Sequence, residues 1–231
     1  KKIASGATHL VLDIPVGPTM KIQHLRDAEL ISKKFTYLAK RFGVHVTVDI
    51  NEIRENAGRG IGPVLETRDV LQVLEQHKDR PLALEAKALR LASKLLDICF
   101  AGSPDKKKLS GETVAREMLL SGKALVKMKE IVANQGGNPD IASDSLIWAT
   151  NKHEVRAVGR GRVHGINNQE ITVICRILGS PQDKTAGMYL NTKLDERVDK
   201  NDILCTLYSS DKWRLKEAVE TLKNVQIYTI K

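Results

Sequence analysis

The 231 residues suffice for one large or two small domains, and 42% hydrophobic with 28% charged residues reads as a globular chain. The net charge of +9 favours an anionic partner, a phosphorylated metabolite or a nucleic acid. Dispersed basic residues, Lys106-Lys107-Lys108 being the only run of three, and a 4% aromatic content weigh against a base-stacking surface.

No apolar run reaches bilayer-spanning length and no signal peptide is visible. Cys99, Cys175 and Cys205 stand singly in apolar runs without metal-ligand spacing. They read as free thiols in a reducing cytoplasm, each expected in buried packing.

In chain order, Lys1 to Gly6 resembles the last turn of a helix, with cations before a C-terminal glycine, and suggests a preceding segment. His9–Ile14 reads as a buried strand entering a turn at Pro15 and Gly17. Apolar residues at helical spacing predict a helix from Leu25 to Phe42, closed by Gly43. Val44–Ile50 alternates and is rich in β-branched residues, so it is a strand. Strand, helix, strand makes a parallel α/β unit, whose ligands bind beyond the carboxyl ends of its strands.

Gly58, Gly60 and Gly62 then fall at every second position before Pro63 opens a helix to Glu75. A glycine loop closing on a helix start lets backbone groups approach a ligand or ion, and Glu66 and Asp69 could complete an oxygen site for a cation. Gly-Pro before a helix is equally ordinary punctuation, and both readings stand. Further helices are expected over Leu84–Phe100 and, broken near Ser121-Gly122, over Gly111–Gln135, up to a boundary at Gly136-Gly137-Asn138-Pro139.

Beyond Thr150 the texture changes to a small α+β module. Its expected parts are a glycine-interrupted strand (Val155–Ile166), a helix (Gln169–Leu178) and a strand (Gly187–Asn191). A turn into a strand (Asp195–Tyr208), a helix (Asp211–Lys223) and a final strand (Val225–Ile230) complete it. The fold class is therefore α/β: an incomplete parallel or mixed sheet flanked by helices, followed by a small α+β domain. The expected division is a helix end at 1–8, part of an α/β domain at 9–150 and the α+β domain at 151–231.

The six histidines, His9, His24, His45, His77, His153 and His164, show no metal spacing and read as packing or surface. Asp13 and Asp49 end neighbouring strands, where function or turn capping are both open.

The segment from Lys1 to Met20 resembles the KKxAxGxxxxVxDxxVGxGxxM segment of thymidine and pyrimidine-nucleoside phosphorylases. Ile61 to Leu71 resembles their VGNALEVREAL motif, and more closely the GPALEARE form of the AMP phosphorylase branch. Ser121 to Ile141 is similar to that branch's SGKAxxKMKEIIxAQGGxP pattern. The resemblance covers essentially the whole chain and implies that it is a C-terminal portion. The family's phosphate loop, helical domain and proton donor would then lie in a missing N-terminal half, and the isolated fragment would be inactive.

The resemblance implies a transferase that cleaves AMP, and also CMP and UMP, with phosphate to free base and ribose 1,5-bisphosphate. The alternatives are a uridine or thymidine phosphorylase and, from another class, a basic non-catalytic RNA-binding module. No catalytic residue is carried over. Lys1 aligns with a lysine that contacts the nucleobase. Ala57, Gly60 and Asp69 align with ligands of a monovalent cation such as potassium, with Asp69 shorter than the family's Glu. The implied partners are a nucleoside monophosphate, phosphate and further copies of the chain, as a homo-oligomer such as a dimer. No membrane and no nucleic acid are expected.

Val16-Gly17-Pro18-Thr19-Met20 departs from the family's VGSGAF, and the loop from Asp49 to Gly62 is longer than in bacterial members. Both favour a substrate other than thymidine. The family's Gly-Asp turn appears as Asn201-Asp202, and Asn tolerates a left-handed backbone.

Overall fold

The computed structural model describes residues 3–18, 20–106 and 108–231. The chain forms two compact units, one of residues 1–53 and 85–127, the other of residues 54–84 and 128–231. The units are interleaved along the chain, whereas the expected division fell at residue 150. The stretch 54–84, with the glycine loop, joins the later unit.

In the first unit, β1 (His9–Val16) and β2 (His45–Glu52) run parallel, in register from His9 beside His45 to Val16 beside Glu52. They are linked by α1 (Leu25–Arg41). Side chains alternate across a strand, so Leu12, Ile14 and Val16 share a face. On that face Ile14, Val16 and Ala28 are buried with Ile22, Ile31, Val48 and Ile50 against them. Asp13 and Asp49 fall on the opposite face by the same alternation. Gly43 ends α1 with a left-handed backbone, as its position predicted. Residues 85–101 of α3 (Leu82–Ala101), α4 (Gly111–Leu120) and the start of α5 (Lys123–Asn134) complete this unit. The helix break expected near Ser121-Gly122 is present, with Gly122 left-handed.

The second unit holds two antiparallel sheets. One has the order β3 (Gly60–Ile61), β6 (Gly187–Leu190), β8 (Ile203–Ser209), β4 (Asn151–Arg156). The other has the order β7 (Arg197–Val198), β5 (Gly161–Ile166), β9 (Tyr228–Ile230). The predicted strand 155–166 is thus two strands in different sheets, parted by residues 157–160. α6 (Asn168–Leu178) and α7 (Lys212–Thr221) pack beside them.

The core gathers Val163, Ile174, Leu178, Met188, Leu190 and Leu207, all at 0% exposure. α6 starts where the Asn167 side chain accepts the N–H groups of Gln169 and Glu170, and α7 where Asp211 accepts that of Trp213. Asn201 adopts φ of 74°, so the turn written Asn-Asp keeps its left-handed residue.

α2 (Pro63–Leu74) follows β3 directly and belongs to this unit. Cys175 and Cys205 are buried, as expected. Cys99, in α3, is exposed, so the expected packing role fails there. All three cysteines are free thiols. Among the described residues no helix is long and apolar enough to cross a membrane.

Candidate functional site

The glycine loop and the start of α2 form the most constrained polar centre of the second unit. Asp69 lies two turns into α2, is 2% exposed, and turns its Oδ2 back on the loop. That oxygen accepts the N–H of Arg59 at 2.6 Å and of Gly60 at 2.8 Å. The approach explains the glycine spacing. A β-carbon on Gly58 would stand 2.5 Å from the same oxygen. Gly62 has φ of 116°, and a β-carbon there would stand 2.4 Å from the Ala186 carbonyl oxygen. The loop comes close to its own helix and to the backbone before β6, so the structural reading left open by the sequence accounts for the glycines.

The first turn of α2 finds its partners in Glu66 and in the segment before β6. Pro63 has no N–H to offer. Gly62 donates its N–H to Glu66 Oε1 at 3.1 Å, and Val64 donates to the Lys184 carbonyl at 3.1 Å. Those groups are committed and do not await an anion.

A basic pair lies across the loop from Asp69. Arg59 reaches the Leu190 and Asn191 carbonyls at 3.1 and 2.8 Å and pairs with Glu196 at 3.3 Å. Lys193, 8% exposed, donates its ammonium to the Asn56 carbonyl and, at 3.0 Å, to the Gly58 carbonyl. It also pairs with Glu55 at 3.4 Å. Burial pushes the Lys193 ammonium below the ordinary lysine range, while the Glu55 carboxylate, and more weakly Asp69, pull it back up. Beside these groups opens a recess of about 680 Å³, lined by Ala57, Arg59, Lys78, Arg80, Tyr189 and Lys193 among others.

The expected cation ligands were Ala57, Gly60 and Asp69. A hard cation wants free oxygens. Asp69 gives Oδ2 to two amides, and the carbonyls of Asn56 and Gly58, neighbours of the expected ligands rather than those ligands themselves, turn to an ammonium. Among the described residues no cluster of three His, Cys, Asp or Glu side chains could hold a metal ion. An ammonium therefore already stands beside the residues expected to hold the ion.

Asp13 and Asp49 stand side by side within the parallel pair rather than at its end. Lys87 meets Asp13 at 2.7 Å, Arg90 meets Asp49 Oδ2 at 3.0 Å, and Lys94 meets Asp49 Oδ1. Asn51 donates to Asp13 Oδ1 at 2.8 Å. The two acids therefore anchor α3 to the sheet. His9 and His45 stack at 4.9 Å as register partners, in keeping with the packing reading. Lys1, the expected contact to the base, lies outside the described residues.

The sequence reading missed Lys193 and Glu55. Their signal is long-range: 138 positions separate them, and no periodicity links such a pair.

Residues 162–229 match the pyrimidine nucleoside phosphorylase C-terminal domain. Over 90% of its length the chain is 41% identical to a protein of Methylococcus capsulatus that carries the provisional name thymidine phosphorylase. Over 98% of its length it is 36% identical to the AMP phosphorylase of Pyrococcus horikoshii, and over 95% it is 37% identical to that of Pyrococcus abyssi. The chain is related to the AMP and thymidine phosphorylases. It spans about two fifths of these relatives, 39%, 44% and 42% of their respective lengths. Among phosphorylase relatives the resemblance read from three sequence motifs thus holds along nearly the whole chain, and the mixed α/β class with the matched C-terminal domain is the one that it implied.

Proposed function

We propose that the protein carrying this chain is a nucleotide phosphorylase acting on AMP, and also on CMP and UMP. Phosphate attacks the anomeric carbon, the glycosidic C–N bond breaks, and the base leaves with the bonding electrons and takes up a proton. The products are free base and ribose 1,5-bisphosphate. The observation that carries this reading is the 36% identity to an AMP phosphorylase over 98% of the chain.

In this reading the ammonium of Lys1 donates a hydrogen bond to the departing base and stabilises its developing negative charge. The rest of the chain supplies the α/β scaffold and a C-terminal module that serves assembly into a homo-oligomer more than chemistry. The reaction takes place in the cytoplasm, a setting that the three free thiols support.

The 41% identity to a protein named as a thymidine phosphorylase favours a second reading, phosphorolysis of uridine or thymidine. One experiment separates the two. The purified protein is offered AMP, CMP, UMP, uridine and thymidine, each with and without phosphate, and base release is followed by chromatography. Phosphate-dependent release from AMP, with ribose 1,5-bisphosphate visible by phosphorus NMR, is expected. Release from uridine and thymidine alone would establish the second reading. Lys1→Ala is expected to slow base release by about 2–4 kcal/mol of barrier while phosphate binding holds, and turnover at the wild-type rate would remove Lys1 from the site.

A further inference from the structure

We propose that the Lys193 ammonium is a built-in monovalent cation for the glycine loop, which leaves the protein without need of a bound potassium ion. The inference is independent of which nucleotide the protein cleaves.

An ammonium carries three donors and no acceptor. Around Lys193 Nζ stand three partners: the Asn56 carbonyl, the Gly58 carbonyl at 3.0 Å and the Glu55 carboxylate at 3.4 Å. Two main-chain carbonyls and one carboxylate, adjacent to the aligned ligands Ala57 and Gly60 though not the same atoms, are an oxygen set of the kind that a hard monovalent cation takes. Here a side chain fills it. The backbone of the same segment fixes the ligands. Lys193 N–H donates to Glu196 Oε2 at 3.0 Å, and Leu194 N–H donates to Glu55 Oε2 at 2.9 Å. Glu55 is thereby held between an amide and the ammonium.

On the other side of the loop the amides of Arg59 and Gly60 point at Asp69. Carbonyls turned one way and amides the other give the loop a positive and a negative partner. A second cation near Asp69 would have to compete with those two amides and would be repelled by the ammonium already in place.

The test uses thermal melting of the purified protein in choline, sodium, potassium and ammonium chloride at equal ionic strength. Wild type is expected to melt within about 1 °C in all four salts. Lys193→Ala, which opens space at the carbonyls, is expected to lose about 5 °C or more in choline chloride. Ammonium or methylammonium chloride should restore at least half of that loss.

Loss without rescue would make Lys193 an ordinary ion pair and overturn the proposal. So would a selective gain of wild type in potassium chloride, or a Lys193→Met variant that melts with wild type. If Lys193→Ala does not fold, titration of the wild-type protein with thallium(I), read by thallium-205 NMR, decides the matter. No specific uptake supports the built-in cation, and a saturable site overturns it.

Discussion

Ser143 gives both of its donors to Glu75. Its N–H meets Glu75 Oε1 at 2.9 Å and its hydroxyl meets Oε2. Ser143 is 1% exposed and opens a single 3₁₀ turn, residues 143–145, while Glu75 caps the end of α2. The carboxylate thus ties a segment before β4 to the helix that carries Asp69. Ser143→Ala is expected to destabilise the protein by about 1.5–3 kcal/mol, the range for a hydrogen bond to a charged group. Urea unfolding checks this: the midpoint should fall with the slope unchanged.

Gly58 and Asp69 form a second pair whose coupling is measurable. Gly58→Ala drives a methyl group against Asp69 Oδ2, and its cost is about 1–3 kcal/mol of overpacking. Asp69→Ala removes the acceptor of two loop amides. In the double variant the clash has lost its partner, so the two costs should sum to less than their separate values. Strict additivity in a double-mutant cycle would show that the loop does not close on Asp69.

Asp49 is 5% exposed and meets Arg90 and Lys94. Asp49→Asn leaves both cations without a counter-charge. The expected cost is about 2 kcal/mol, below that of a fully buried pair because Arg90 and Lys94 reach solvent. Base release by the folded variant should stay near wild type. A loss of turnover without a loss of stability would move Asp49 from anchoring α3 into the chemistry.

Asp183 sets an acid limb. Burial pushes its carboxyl up, but hydrogen bonds from the Ser210 hydroxyl and from the Thr185 hydroxyl and N–H outweigh it and bring it down to about 2 from 3.8. A carboxyl depressed in the fold stabilises above its unfolded value and loses that contribution as pH falls through its folded value. The contribution is therefore present above about pH 4 and lost toward pH 2. Solvent screening reduces it to the order of 1 kcal/mol. The stability gap between wild type and Asp183→Asn, measured by urea unfolding, should close across that window.

Period and punctuation alone determined most elements of this chain. Alternation at 44–50, helical spacing at 25–42 and the glycine that closes α1 are local signals, and β1, α1 and β2 followed them to within about two residues at every end. The left-handed turn at Asn201 was legible for the same reason, since a single residue decides its own backbone. The motifs at Ile61–Leu71 and Ser121–Ile141 likewise carried the relation to the phosphorylases without any coordinates.

Three things were decided by tertiary structure. The stretch 54–84 joined the later unit because Gly60 and Ile61 found β6 as their hydrogen-bond partner, a choice of sheet edge that a two-residue strand cannot announce. The strand read as one at 155–166 became two because a break at residues 157–160 let its halves serve separate sheets. The oxygens of the glycine loop went to Lys193 and the amides to Asp69. Charge pairing depends on distance in space, and the fold brought Lys193 to Glu55 across 138 positions that no periodic pattern spans.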